Sequence, residues 1–244
     1  MIPYDLSISQ IVLAIIIVTI GAITQGSVGF GFAMVVAPLL ILINDYFVPG
    51  PVIVVAFFTA FFISFRDGNK ATFDSIKFAI AGRIVGNLIG AALVAYLARD
   101  KFTIFFGILV LIAVLISISG FHIKLNKKNL VLGGFFSGFM GTTVSISGPP
   151  IALLFQNEKG QEFRNIMALF FMIGILLSIP SLAILGAFGW PEFILGLLLV
   201  PGCFVGVILS NMFAKKIDKH SIQPYVLGLS SISGILAILK VILF

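Results

Sequence analysis

Most of this chain is aliphatic, so its polar side chains inside apolar sequence are the first candidates for chemistry. Residues 21–40 read GAITQGSVGFGFAMVVAPLL, with Thr24, Gln25 and Ser27 set among Gly21, Gly26, Gly29 and Gly31 before Pro38. Residues 133–152 read GGFFSGFMGTTVSISGPPIA, with Thr142, Thr143, Ser145 and Ser147 leading into Gly148, Pro149 and Pro150. Glycine and proline interrupt helices. Inside a bilayer, non-helical backbone is tolerated only where protein or a watery cavity surrounds it. The N-terminal end of an interrupted helix offers unpaired N–H groups and partial positive charge, which suit an anion. Gln25, Gly26, Ser27, Gly29 and Gly31 are therefore expected to shape one half of a binding site. Thr142, Thr143, Ser145 and Ser147 are expected to shape the other, with Pro38, Gly148, Pro149 and Pro150 holding the breaks. A blander reading stands beside this one. Glycines also line close helix contacts, and Ser or Thr hydroxyls also bond to their own helix.

Arg83 is the one basic residue placed well inside an apolar span, with Asn87 one turn further on. A charge at membrane depth is costly and usually functional. No Asp or Glu lies at similar depth to pair with it, so Arg83 and Asn87 join the substrate-binding candidates. The alternative is that Arg83 snorkels to the nearby face, six residues from Lys77. The nine acidic residues fall at loops or span ends, and His122 and His220 lie in loops. No carboxylate proton relay, metal site, cofactor site or catalytic group is expected, and an enzyme is not.

The elements that must position these groups follow from the pattern. Gly21, Gly26, Gly29 and Pro38 recur 112 positions later as Gly133, Gly138, Gly141 and Pro150. A helix-breaking pattern shared by two halves points to a transporter site. A second echo matches Gly86 and Gly90 with Gly202 and Gly206. Apolar runs are expected at about Ser7 to Ala22, Gly31 to Ile43, Val52 to Phe65, Ile76 to Leu97 and Phe102 to Ser119. After the His122 to Asn129 linker come Leu130 to Phe139, Ile146 to Phe155, Ile166 to Leu185, Phe193 to Phe213 and Ile222 to Leu243. The expected fold is an all-α polytopic membrane protein with two inverted repeats of five segments, each beginning with a broken or re-entrant helix pair. The repeats span 1–121 and 130–244, joined by a cytoplasmic linker at 122–129.

Bulk properties agree. The 244 residues are 60% hydrophobic and 10% charged, with a mean hydropathy of +1.21. With about 20 residues per span, eight to ten crossings would use the whole length. The net charge of +6 sits at span ends, without the aromatic-interleaved basic patch of a nucleic-acid binder. The single cysteine, Cys203, lies in an apolar segment and builds no disulfide framework. The N-terminal MIPYDLSISQ lacks a basic leader region and runs into the first span.

Charge also orients the chain. If each broken stretch crosses once, the Lys and Arg other than Arg83 divide seven to seven between the two sides. If each goes in and returns, the division is eleven to three. The positive-inside rule prefers the second arrangement. It puts both termini outside and gives each half an odd number of passes, so the halves are related by inversion.

In order along the chain, GAITQGSVGFGFAMVVAPLL, FRDGNKATFD, GRIVGNLIGAAL and GGFFSGFMGTTVSISGPPIALL resemble the sulfite exporter TauE/SafE family of anion permeases. The resemblance implies a bacterial or archaeal inner-membrane transporter for small sulfur-containing or organic anions, such as sulfite, sulfonates or sulfoacetate. This chain departs from many relatives at Gly29-Phe30-Gly31-Phe32, and at Thr142-Thr143 and Pro149-Pro150, where glycine-rich runs are common. The expected function is secondary transport by alternating access. A channel-like anion pore and a non-transporting membrane partner are the rivals. Expected partners are a small anion and the lipid bilayer, with a homodimer open as an assembly and no nucleic acid.

Overall fold

Helix α1 (Ile8–Val28) is apolar nearly all round, the pattern of a helix that meets no water along its sides. It begins with a capping box: Gln10 N–H donates to Ser7 Oγ (3.2 Å) and Ser7 N–H donates to Gln10 Oε1 (2.9 Å). The computed structural model describes residues 3–68, 71–119, 123–158 and 160–214, with positions 228, 231–232, 235–236 and 239. Every long element among them is a helix. After α1 come α2 (Phe32–Ile43), α3 (Gly50–Asp67), α4 (Phe73–Tyr96), α5 (Arg99–Ile118), α6 (Lys127–Val144), α7 (Gly148–Ala152), α8 (Gly160–Ile184) and α9 (Trp190–Ala214). Six of these are long and apolar enough to cross a membrane: α1, α3, α4, α8, and most of α5 and α9. The chain is a multi-pass membrane protein. The span expected at Ile222 to Leu243 and the basic loop at Lys215 to Lys219 lie outside the described residues, isolated positions apart.

Contacts at the helix ends define two faces. Tyr4, just ahead of α1, donates its hydroxyl to Glu192 at the start of α9 and stacks on Tyr46. The start of α3 meets the same place, since a Cβ on Gly50 would touch the Glu192 and Phe188 side chains. At the other face Arg66, near the end of α3, donates to Gly26 O of α1 and to Ser210 Oγ of α9. Thus α1, α3 and α9 each run from the Glu192 face to the Asp67 face. Helix α8 runs the opposite way, from Arg164 beside Asp67 toward Phe188.

Small residues let two helix pairs approach at backbone distance. In one pair a Cβ on Gly82 would overlap Val131 O, one on Gly86 would overlap Phe135 O, and one on Gly134 would overlap Ala79 O. The rising register makes α4 and α6 parallel. In the other pair Gly202 faces Ile15 O, Gly206 faces Thr19 O, and Gly26 faces Ser210. That register makes α9 and α1 parallel as well. Each pair joins the first half of the sequence to the second.

These contacts correct part of the sequence reading. Gly21, Gly26, Gly133, Gly138 and Gly141 do not break their helices. They sit inside α1 and α6 because a side chain there would strike Val36, Ser210, Leu154, the Arg83 backbone or Ser147. Helix α1 accordingly runs past the expected end at Ala22 to Val28, and α6 past Phe139 to Val144. Pro38 does not hold a break either. It lies within α2, seven positions after the actual interruption at Gly31.

Candidate functional site

The first interruption is Gly29-Phe30-Gly31. Gly29 caps the end of α1 at φ 99°, and Gly31 caps the start of α2 at φ 106°. Both angles lie in the left-handed region, where only glycine is free of Cβ strain. The second interruption is Ser145-Ile146-Ser147, with Ser145 itself at φ 65°. It ends where Gly148 and Pro149 start α7, a position at which proline's missing N–H costs nothing. Ser137 Oγ donates to Ser147 O (2.5 Å) and Ser145 Oγ donates to Pro49 O (3.2 Å), which pins the interruption between α6 and the start of α3.

The two interruptions meet. The Phe30 ring lies where a Cβ on Gly148 would stand, at 3.1 Å. Beside that contact is a cavity of about 30 Å³, lined by Gln25, Gly31, Arg83, Ser145, Ser147 and Gly148 on its polar side. Met34, Ile53, Ala56, Phe171 and Ile175 form an apolar wall. Its size admits about two waters. Phe32, Ala33 and Met34, the first turn of α2, also line it, and Gly31 brings no side-chain acceptor to cap their N–H groups. The positive end of α2 is therefore directed at the cavity.

Arg83 does not snorkel. It is 1% exposed, with its guanidinium carbon 4.5 Å from the centre of the Phe170 ring and Nη1 a long 3.5 Å from Phe170 O. Nε has no partner, and no carboxylate among the described residues reaches the group. The side chain lies in a trough of glycines, because a Cβ on Gly174 would overlap the guanidinium and one on Gly138 would crowd Cγ. Asn87 is fully buried beside it and donates through Nδ2 to Gly174 O (3.2 Å), leaving Oδ1 unpartnered. Gln25 is 4% exposed, and its side chain lines the cavity. A buried cation, a buried amide and a helix N-terminus thus surround one small cavity.

Replacing Gly174 with alanine tests this packing. The new methyl group and the guanidinium cannot coexist, so Arg83 must leave the trough. The anion concentration that half-stabilises the purified protein should rise about tenfold or more, the scale of one disturbed charge-assisted bond. Unchanged stabilisation would mean that Arg83's position is immaterial.

Several expected site residues lie elsewhere. Ser27 Oγ donates to Ile23 O (2.7 Å), Thr24 Oγ1 to Ile20 O (3.0 Å) and Thr143 Oγ1 to Phe139 O (2.7 Å), so these hydroxyls serve their own helices. Thr142 Oγ1 pairs with Ser178 Oγ (3.0 Å), joining α6 to α8. Gly26 is held by Arg66, and Gly29 packs on Phe163 and Arg164. Asn87 flanks Arg83 without lining the cavity. The apolar wall and Gly174 carry no signal in sequence, being aliphatic, aromatic or glycine residues among many.

A search of curated proteins and a search of solved structures found no match. A family model, Sulfite exporter TauE/SafE, matches residues 13–237, covering both interruptions, Arg83 and every wall of the cavity. Long apolar helices, a buried cation between two interrupted segments and that match agree: the chain belongs to the sulfite exporter TauE/SafE family of membrane transporters.

Proposed function

We propose that the chain is a secondary carrier for a small anion, of the sulfite, sulfonate or sulfoacetate class, and that it works by alternating access between two inverted halves. Arg83 carries this reading: a fully buried guanidinium, without a carboxylate partner among the described residues, at a cavity where two helix interruptions meet. A buried charge left unpaired is expensive unless a ligand supplies the counter-charge. Gln25, Ser145, Ser147 and the first turn of α2 would complete the shell.

Helix directions support inversion. By the sequence echoes α6 corresponds to α1, and α9 to α4, yet α4 and α6 run one way while α1 and α9 run the other. Helices α3 and α8 oppose each other in the same sense. Exchanging the halves turns the α4–α6 pair into the α9–α1 pair, as a two-fold axis in the membrane plane would. The cavity's volume of about 30 Å³ fits a site narrowed in this conformation, as alternating access would have it. The excess of Lys and Arg on the Asp67 face supports a cytoplasmic assignment for it, in a prokaryotic cell membrane with the N-terminus outside.

The test is flux. Purified protein should be stabilised by some member of a panel of sulfite, thiosulfate, sulfonates and carboxylates. In proteoliposomes the best of these should move with saturable kinetics and show counterflow. Non-saturating flux without counterflow would replace the carrier with a channel. No binding and no flux across the panel would end the anion reading.

A further inference from the structure

At the Asp67 face one ion cluster ties four helices together. Asp67 Oδ1 accepts from Arg66 Nε (2.6 Å) and Asp67 Oδ2 accepts from Arg164 Nε (2.7 Å). Gln161 Nε2 donates to Asp67 O. Arg66 spends its other two nitrogens on Ser210 Oγ (2.6 Å) and Gly26 O (2.9 Å). Helices α1 and α3 of the first half are thereby joined to α8 and α9 of the second. The three charged side chains are 8% to 14% exposed, so solvent screens them less than it would a surface pair. A polar recess lined by Thr72, Ser75, Gln161, Glu162 and Asn165 borders the cluster.

The opposite face has no ion pair among the described residues near the cavity. There Ser145 makes its single neutral bond to Pro49 O, and a second recess, lined in part by Pro49, Gly50 and Glu192, lies next to it. The cavity thus lies between an Arg–Asp–Arg clasp on one face and, on the other, the Ser145–Pro49 bond with the Tyr4–Glu192 bond beyond it.

One link joins clasp and cavity. Gly26 O, held by Arg66, belongs to the last turn of α1, and the next residue back is Gln25, whose side chain lines the cavity. Gly29 N–H donates to Gln25 O (2.7 Å) and closes that same turn. A backbone shift of the last turn of α1 at Gln25 would also move the Gly26 carbonyl on which Arg66 rests.

We propose that Asp67, Arg66 and Arg164 form the gate of the Asp67 face, and that the last turn of α1 transmits occupancy of the cavity to it. The gate takes its purpose from the carrier reading, but its geometry does not depend on which anion is carried. Opening requires Asp67 to release Arg164, which frees α8 from α3, and Arg66 to release Gly26 O, which frees α1. The Ser145–Pro49 contact, already made in this structure, would keep the other face shut meanwhile.

Cysteine accessibility tests this without substrate. Replacing Cys203, the chain's one cysteine, with alanine leaves a thiol-free background, into which Ala56→Cys puts a thiol on the cavity wall. A membrane-impermeant methanethiosulfonate is applied to vesicles from the Asp67 face or from the Glu192 face. Asp67→Asn should speed labelling from the Asp67 face about tenfold or more, the scale of a lost charge-assisted bond. Arg164→Gln, which cuts only the link to α8, should do the same and serves if the Asp67 variant fails to assemble. Exchanging the pair, Asp67→Arg with Arg164→Asp, should restore slow labelling. Equal labelling rates from the Asp67 face in the parent and in both single variants would overturn the gate. Labelling that responds as expected in a protein that moves no anion would sink the carrier reading alone.

Discussion

Replacing Arg83 with glutamine is expected to weaken anion binding strongly while leaving the empty protein at least as stable as before. The two halves of that result have one cause. The guanidinium is buried with Nε unpartnered and no carboxylate in reach among the described residues, so the empty protein bears the cost of an uncompensated charge. Glutamine is too short to keep the Phe170 contacts but stays polar and removes that cost. The ligand, in turn, loses its counter-charge. Hydrogen bonds to a charged group contribute about 1.5–3 kcal/mol, so affinity should drop roughly 10- to 100-fold. A thermal melt of the variant, with and without the best anion from the panel, reads both effects at once. Lysine should rescue poorly, because a point charge on a flexible stem does not lie flat over Phe170 in the glycine trough. If the empty variant melts well below the parent while anions still stabilise it, Arg83 is a structural residue.

What sequence reveals in this protein follows from what lipid demands. The apolar runs that become α1, α3, α4, α5, α8 and α9 are plain because a membrane span must be long and nearly free of charge. Arg83 stands out for the same reason. The glycine echo is real in sequence, but its meaning divides between two physical roles. At Gly29 and Gly31 the backbone turns through positive φ; at Gly21, Gly26, Gly133, Gly138 and Gly141 it stays helical and a neighbour comes close. Composition alone cannot separate these roles, since both need the absence of a Cβ. Ser145 goes the other way: a serine in the left-handed region gives no sign in its residue type that the chain reverses there.

Hydroxyls are hard to read for a related reason. Ser27 and Thr143 bond to carbonyls four residues back, while Ser145 and Ser147 sit beyond a helix end and face the cavity. Which role a hydroxyl takes depends on whether a helical turn precedes it, and that depends on the position of the break. Arg66, Asp67 and Arg164 belong to sequence that reads as solvated loop. They are partly buried because α1, α3, α8 and α9 converge there, a fact of tertiary arrangement that no local pattern encodes.

Alanine at Gly82 is expected to destabilise the protein more than alanine at Gly174 or Gly189. The α4–α6 contact is built on backbone: Gly82 against Val131 O, Gly86 against Phe135 O, and Gly134 against Ala79 O. In lipid the association of two helices gains little from apolar burial and depends on close packing. A methyl group at Gly82 meets a carbonyl oxygen that belongs to a helix, not a flexible side chain that can turn aside, so the two helices must separate along their length. Overpacking of this kind costs about 3 kcal/mol, the upper part of the usual range. The separation also lifts Arg83 off α6, since Arg83 O and Cγ lie against Gly138. Anion-induced stabilisation should therefore weaken together with the melting temperature. Gly189→Ala provides the comparison, because a Cβ there meets only Glu192 Oε2 at 3.5 Å and Pro191 Cδ at 3.7 Å, ordinary contacts. If Gly82→Ala melts no lower than Gly189→Ala, α4 and α6 do not pack backbone to backbone, and the trough that holds Arg83 is not formed as described.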